Sequence, residues 1–579
     1  MKLKRCSLIL ALLIGLGSVA LGACNRDGGV TIDTSKTQLY VSYYNGGYGN
    51  EWLYSAISRF EAMYADREFE PGTGKKGAQI VPMPSKETGT TVFNTMRASS
   101  AEVFFTEGVY MSDFVNAGMV ADITDVVTED LTAYGETESI EDKLTDAQQD
   151  YFGVTENGET HYYMVPHYQS FRGLVYDVDL FDENRLFIAK NGAPSEALQE
   201  GGSFSGTYAF TNEAGEKSAG PDGKYETSDD GLPATYEEFY ALCDRMGGRG
   251  ITPVAYAGAV QVYYDDFLTA LEADDAGLND MMANYNFSGE VSSVIDLSTM
   301  SADGSSYELM DPFAMTNRDG YLMARLEGKY NALKFTERLI EGGKNGPYFS
   351  ADCFNSTSHI ETQNNFLYGR FGGDKNIGII IEGCFWENEA DPTFRSMENR
   401  NGPNAGRYVR RFAIMPYPKS TEDKIGEPLT LVDSLMSAGF IKAGLSEEKT
   451  ELAKLFLQFL NTDESLREFN VLTGAPKSLE YELEDSDKEQ ISYFGNSILE
   501  MRNAENVDIV YPASSNAIYR SNPANFFSAT EWNSVVNGVS YSDPQKIMND
   551  QGRTALEMFL GISNRVTQSA WNNSYGNYF

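Results

Sequence analysis

The sequence predicts an α/β fold of two lobes joined by crossing strands, with a ligand cleft between them. Two stretches predict the crossings. Residues 163–181, YMVPHYQSFRGLVYDVDLF, place strand-favouring Tyr163, Met164 and Val165 ahead of Pro166, which has no N–H to continue a ladder, and resume strand at Leu174, Val175 and Tyr176. Residues 435–441, LMSAGFI, are a second short apolar strand with glycine at a bend. The third observation is a β-loop-α unit. A strand over 39–43 runs into Asn45-Gly46-Gly47-Tyr48-Gly49-Asn50, and Trp52, Leu53, Ala56, Ile57, Phe60 and Met63 then recur at helical spacing behind Asn50 as cap.

Open α/β sheets bind ligands at the carboxyl ends of their strands, so Tyr44, Asn45 and Tyr48 are expected at the cleft. His167, Tyr168 and Gln169 lie in the first crossing and carry the polar groups a small ligand needs. The strand over 101–105 ends at Thr106-Glu107-Gly108, which puts Glu107 at a strand end too. The glycine spacing after the first strand fits neither a dinucleotide loop nor a P-loop, and no lysine follows, so nucleotides are excluded.

Further along, residues 190–217 lack periodicity and read as a surface excursion. Asp222, Glu226, Asp229 and Asp230 then stand around glycine turns at short intervals. Such oxygens suit a hard cation such as calcium, in a structural role, and equally suit a solvated acidic turn; the pattern departs from an EF-hand, with a lysine at one alternate position and no closing glutamate. Thr235 opens a helix with Phe239, Leu242, Cys243 and Met246 inward, and strands are expected over 251–257, 377–381 and 411–418. The apolar run 377–381 leads through Glu382, Gly383 and Cys384 to Phe385 and Trp386, which places an indole at a sheet's mouth or in its core. Ser446 and Thr462 open two helices that end at Thr473-Gly474-Ala475-Pro476, and Ser542-Asp543-Pro544 opens another.

At 579 residues the chain exceeds what one core serves. Hydrophobic residues at 41% and charged residues at 22% are those of a globular protein, and the 35 tyrosines and 33 phenylalanines suit surfaces that meet polar organic ligands. A net charge of −39 repels phosphate backbones and anionic lipid, which excludes a nucleic-acid partner. Apart from Cys6 and Cys24 only Cys243, Cys353 and Cys384 remain, an odd set that argues against a disulfide framework. His161, His167 and His359 show no zinc spacing, and no cofactor is expected.

The N-terminus combines Lys2, Lys4 and Arg5 with an apolar run over 8–16 and Leu21-Gly22-Ala23-Cys24. It resembles a bacterial lipoprotein signal, which implies a signal peptide over 1–23, a lipid on Cys24, a tether over 24–38 and a place on the outer face of the cytoplasmic membrane.

The body resembles the family 1, carbohydrate-type extracellular solute-binding proteins of ABC importers, which share a two-lobed periplasmic-binding-protein-like fold of type II. The resemblance rests on residues 40–60, on 166–181 with Tyr176-Asp177 where the family has Tyr-Asn, on 379–386, on Ser437-Ala438-Gly439 and on 453–476. It implies one lobe from 39–165 and 439–507 and another from 166–438 and 508–579, with insertions near 190–232 and 278–317. It implies sugar contacts from Tyr44, Asn45, Trp386 and Trp532, and a monomer that passes a sugar or oligosaccharide to permease subunits without chemical change. A pyranose has an apolar face for indole or phenol and hydroxyls that need donors and acceptors, which these residues supply. The alternatives are a surface glycoside hydrolase, for which Glu107, Asp177, Glu382 and Asp433 are the candidate carboxyls, and a ligand-binding sensor for a membrane kinase.

Overall fold

The computed structural model describes residues 30–193, 199–200, 208–521, 532–537 and 539–579. The signal segment, Cys24 and the aromatic pair Phe526 and Phe527 lie outside them.

Strand β1 (Thr37–Tyr44) alternates buried and half-buried side chains and leads through the glycine loop into α1 (Glu51–Met63). Trp52, Leu53, Ala56, Ile57 and Phe60 face inward as the spacing predicts, whereas Met63 is 53% exposed at the helix end. Asn50 occupies the cap position, but its amide donates to Tyr43 Oη at 3.4 Å rather than capping with its side chain. Then come β2 (Ala78–Ser85), β3 (Val103–Thr106), β4 (Val165–Pro166) and β5 (Arg172–Asp177). They are followed by β6 (Thr252–Ala255), α2 (Val262–Asn286), α3 (His359–Tyr368), β7 (Ile377–Gly383) and α4 (Trp386–Glu389). The chain continues through β8 (Phe412–Met415), β9 (Leu429–Val432), β10 (Ala438–Ile441), α5 (Glu447–Phe459), α6 (Asp463–Thr473), α7 (Tyr493–Arg502) and β11 (Val507–Val510).

Two mixed sheets result. The first has the order β2-β1-β3-β10-β4, with β1 parallel to β2 and β3. The second has the order β6-β7-β5-β8, and β7 is buried along its whole length because a central strand covered on both faces has no solvent side. Pro166 sits on the edge strand β4, where a missing N–H costs least.

The chain passes from the first sheet to the second at 167–171, and at 433–437 it enters the first sheet from β9, which pairs in parallel with β11; these segments lie in the two predicted crossings. Ser434 N donates to Ser170 O at 3.0 Å, and His167 N donates to Ser437 O at 3.0 Å, so the crossings are tied together. Asp433 is buried between them and accepts from Ser170 N at 3.4 Å and Ser478 Oγ at 3.2 Å; burial pushes its carboxyl up to about 7. Gly439 is required here, since a Cβ would stand 2.6 Å from the Phe105 ring.

Packing differs from the expected partition in three places. Helix α7, expected with the first lobe, sends Phe494, Ile498 and Met501 into the second core, and Ser497 Oγ accepts from Ile414 N on β8. Past β11, Tyr511, Ala513 and Tyr519 pack with the first core while Trp532, Met558, Phe559 and Trp571 pack with the second. The stretch around 190–217 is not purely irregular, because Phe187–Ile188, Gln199–Glu200 and Ala209–Thr211 form a small antiparallel sheet. Strands of two or three residues are too short for a period to reveal them. No helix of the described residues is long and apolar enough to cross a membrane.

Candidate functional site

Two faces meet where the carboxyl ends of the strands converge. From the first lobe come Tyr44 at the end of β1, Tyr48 in the glycine loop and Glu107 just past β3; from the second come Arg172 at the start of β5, Tyr263 near the start of α2, Glu382 at the end of β7 and Phe385 and Glu389 around α4. The loop packs directly on the opposite lobe. Tyr48 lies edge-on to Phe385 at 6.0 Å, and a Cβ on Gly47 would stand 2.6 Å from Phe385 Cβ, so only glycine admits this approach. Arg172 lies under the Tyr263 ring at 4.2 Å and near Phe385 at 5.2 Å, and pairs with Asp266 at 3.1 Å.

Carboxyls crowd the floor of this cleft. Tyr168 Oη donates to Glu107 Oε1 at 2.6 Å, and Gln363 Nε2 on α3 donates to Glu382 Oε1 at 3.2 Å and Glu389 Oε2 at 3.0 Å. Burial raises all three acids, Glu107 to about 7 and Glu382 to about 8, and Glu389 raises both of the others by like charge. Tyr44 is raised by burial and then by Glu107 and Glu389, which marks the acids of both lobes as neighbours of one ring.

Beside the Arg172–Asp266 pair lies a cavity of about 490 Å³, lined by Tyr110 and Met436 from the first lobe and the hinge, by Val262, Asp265 and Asp266 from α2, and by Tyr285, Tyr519 and Trp532. Trp532 is 3% exposed, donates Nε1–H to Thr269 Oγ1 at 3.0 Å and has the Lys329 ammonium 4.4 Å from its ring centroid. Aromatic walls with a few fixed polar groups are what a small-molecule pocket consists of.

The sequence-predicted residues divide. Tyr44, Glu107 and Tyr168 come together at the cleft, Trp532 lines the cavity, and the backbone N–H of Asn45 donates to Ser85 O at 2.8 Å in the loop beside Tyr44. Trp386 does not reach the cleft. It is wholly buried in the second core among Phe366, Phe394, Phe412 and Phe494, with ring centroids 5.2 to 6.0 Å away. The turn after Gly383 sends successive side chains to opposite sides, so Phe385 takes the cleft and its neighbour takes the core.

His167 is a buried strut of the hinge. It lies against Trp52 and Phe105 at 4.8 and 4.7 Å, and Nδ1 is 2.8 Å from Lys477 Nζ. Burial, and then the Lys477 charge, hold its pKa well below the usual histidine range, and burial lowers Lys477 to about 7. Gln169 points elsewhere, accepting from Arg502 Nε at 2.7 Å beside a separate surface groove, while its backbone carbonyl accepts from Tyr48 Oη at 2.9 Å.

Of the nominated acids, Asp177 is a capping and ion-pairing residue. It accepts from Leu180 N at 3.1 Å and from Arg410 at 2.5 Å, and Asp433 serves the hinge. The acidic turn satisfies itself. Asp229 accepts from Asp222 N at 3.0 Å and Thr227 Oγ1 at 2.6 Å, Asp222 accepts from Lys224 N at 2.7 Å, and Asp230 accepts from Glu226 N at 2.9 Å. Among the described residues no three His, Cys, Asp or Glu side chains converge as a metal site.

Residues 47–290 match the family model of the bacterial extracellular solute-binding proteins. Over that stretch, somewhat under half of its length, the chain is similar to those solute-binding proteins. The match spans the cleft loop, both edges of the first crossing and the start of α2. A search of curated proteins found no match. Among solved structures, one described with xylan utilization by Caldanaerobius polysaccharolyticus is 13% identical with a TM-score of 0.52, over 92% of this chain and 100% of that one. Maltose-bound MalE3 of T. maritima is 13% identical with a TM-score of 0.50, over 92% of this chain and 99% of that one. At such identity the likeness is one of fold, and it agrees with two α/β lobes around a cleft.

Tyr263, Gln363, Phe385 and Glu389 escaped the sequence reading as site residues, whereas Arg172 lies in the crossing whose polar side chains suit a small ligand. Phe385 had a signal, since it directly precedes the tryptophan that was chosen. Tyr263 and Gln363 sit on helices whose approach to the cleft is purely tertiary.

Proposed function

We propose that this protein is a lipid-anchored extracellular substrate-binding protein that captures a sugar or oligosaccharide by closure of its two lobes and delivers it, unaltered, to an ABC permease. The observation that carries the reading is the aromatic and carboxylate-lined cavity between the lobes, with Trp532, Tyr110 and Asp266 on its walls. Aromatic rings take the apolar face of a pyranose while carboxylates and Arg172 take its hydroxyls. A ligand that touches both lobes has more contacts in the closed form and so shifts the population toward it. The family match supports an extracellular setting, and the lipobox-like Leu21-Gly22-Ala23-Cys24 supports the anchor.

A thermal-shift screen of mono- and oligosaccharides, then calorimetry and product analysis on the best ligand, tests the reading. At least one saccharide should raise the Tm and be recovered intact, because binding only the folded state stabilises it. Recovery of cleaved sugar would transfer the assignment to a glycoside hydrolase, and a response confined to peptides or metal ions would end it. Cys24→Ala should release the protein from membranes or block maturation, whereas an unmodified Cys24 in the mature wild type contradicts the anchor. A pull-down from membranes should recover permease subunits; recovery of a kinase instead would make the protein a sensor.

A further inference from the structure

The cleft acids lack the cations that buried carboxylates ordinarily have. Among the described residues Glu382, fully buried, and Glu107 and Glu389, half-buried, form no ion pair, although desolvation of an ionised carboxylate is costly without one. The cations that act on them are few. Arg172 is committed to Asp266 at 3.1 Å; Lys86 bears on Glu107 and Glu389 from a position 5.9 Å from the Tyr44 ring centroid, and His359 bears on Glu389. Four carboxyls thus share Arg172, Lys86 and His359, and Glu389 acts on Glu107 across the cleft by like charge.

Two further side chains in the cluster have unmet polar atoms. Gln363 is 1% exposed, and while its Nε2 is held by Glu382 and Glu389, its Oε1 has no partner. Arg172 is 3% exposed, and its Nε and Nη1 have no partner. Buried polar atoms are nearly always satisfied, so these are groups that a ligand or a water can complete. An acceptor and three carboxyls call for a charged N–H donor; two guanidinium N–H groups call for a neighbouring oxygen. A hydroxyl beside an amine meets both demands.

We propose that the saccharide captured in this cleft carries a free, protonated amine, which seats among Glu107, Glu382 and Glu389 with an adjacent hydroxyl accepting from Arg172. The inference rests on the carbohydrate reading above and narrows it to amino sugars with unblocked nitrogen. It also gives closure a physical cause. The amine supplies between the lobes the positive charge that lets these acids, otherwise held neutral by burial and by one another, ionise.

The test titrates the mature protein in detergent by calorimetry, in a buffer mild enough in acidity to protonate the amine, with three oligosaccharides of equal length: β-1,4-linked glucosamine, its N-acetylated counterpart and the neutral glucose counterpart. The glucosamine oligomer should bind at least tenfold more tightly than the other two. Glu389→Gln, which keeps the shape and removes the charge, should narrow the ratio of glucosamine to N-acetylglucosamine affinity by at least tenfold, and Glu107→Gln provides the same comparison from the other lobe should the first variant fold poorly. Equal or tighter binding of the N-acetylated or neutral oligomer overturns the inference and leaves capture of sugar standing. Binding of no saccharide in the wider screen defeats both.

Discussion

Two acidic places in this molecule differ in how their carboxylates are partnered. The turn containing Asp222, Glu226, Asp229 and Asp230 is dense in sequence, and the carboxylates of Asp222, Asp229 and Asp230 take up N–H and O–H groups of the turn itself, even though burial raises Asp229. Glu107, Glu382 and Glu389 are scattered over nearly three hundred positions. The fold brings them together, buries them and provides little positive charge, so burial and mutual repulsion raise them. What distinguishes a site from a self-satisfied turn is the supply of local partners, and spacing in the sequence carries no record of that supply.

A second contrast sits within one dipeptide. Phe385 faces the cleft and Trp386 fills the core. The largest effect expected from any substitution considered is therefore structural. Trp386→Ala should cost about 3 to 5 kcal/mol of stability through the cavity it leaves, read as a lower midpoint in denaturant unfolding. Phe385→Ala should also lower the midpoint, since the ring is 7% exposed, and should in addition weaken saccharide binding roughly tenfold or more, which Trp386→Ala should not do to the chains that remain folded. Reversal of the two outcomes would restore Trp386 as the platform.

Acidity offers the next largest effect. Glu107, Glu382 and Asp433 titrate in the fold at about 7, about 8 and about 7, above the ~4.3 and ~3.9 of unfolded Glu and Asp. The folded chain therefore holds more protons than the unfolded chain in that window. The stability they contribute is complete below the unfolded values and is lost as pH rises through about 7 to about 8. Lys477, lowered to about 7 from 10.5, acts in the opposite sense above about 7 and offsets part of the loss at the upper end. The Tm should fall from about pH 5 to about pH 8, and Glu382→Gln should flatten that slope. A Tm that rises over this window would mean that these acids have partners in solution. The smallest effect belongs to the turn. Excess chelator should leave the Tm unchanged, and a chelator-sensitive Tm abolished by Asp229→Ala would establish the calcium site instead.

Much of the fold was legible because its signals are local. The alternation in β1, the fully apolar β7, the caps at Ser446 and Thr462, and Pro166 between two strand-like runs each act within a few residues. The crossings were legible for the same reason. The site was legible only at strand ends, where Tyr44 and Glu107 follow from the rule that ligands gather there. Tyr263, Gln363 and Glu389 come from helices whose placement is decided by packing between distant segments. His167 and Gln169 lie in the crossing as expected, but the crossing is a hinge with its own polar needs: Lys477 and Arg502 claim them.

The central claim is that the cleft between the lobes captures saccharide. Calorimetric titration of the saccharide giving the largest thermal shift, into wild type and into Trp532→Ala, tests it most directly. The account predicts one site per chain, intact sugar afterwards, and binding weakened roughly ten- to a hundredfold in the variant, as loss of one stacked ring implies. Undiminished binding by Trp532→Ala, together with undiminished binding by Phe385→Ala, would place the ligand elsewhere and contradict the account.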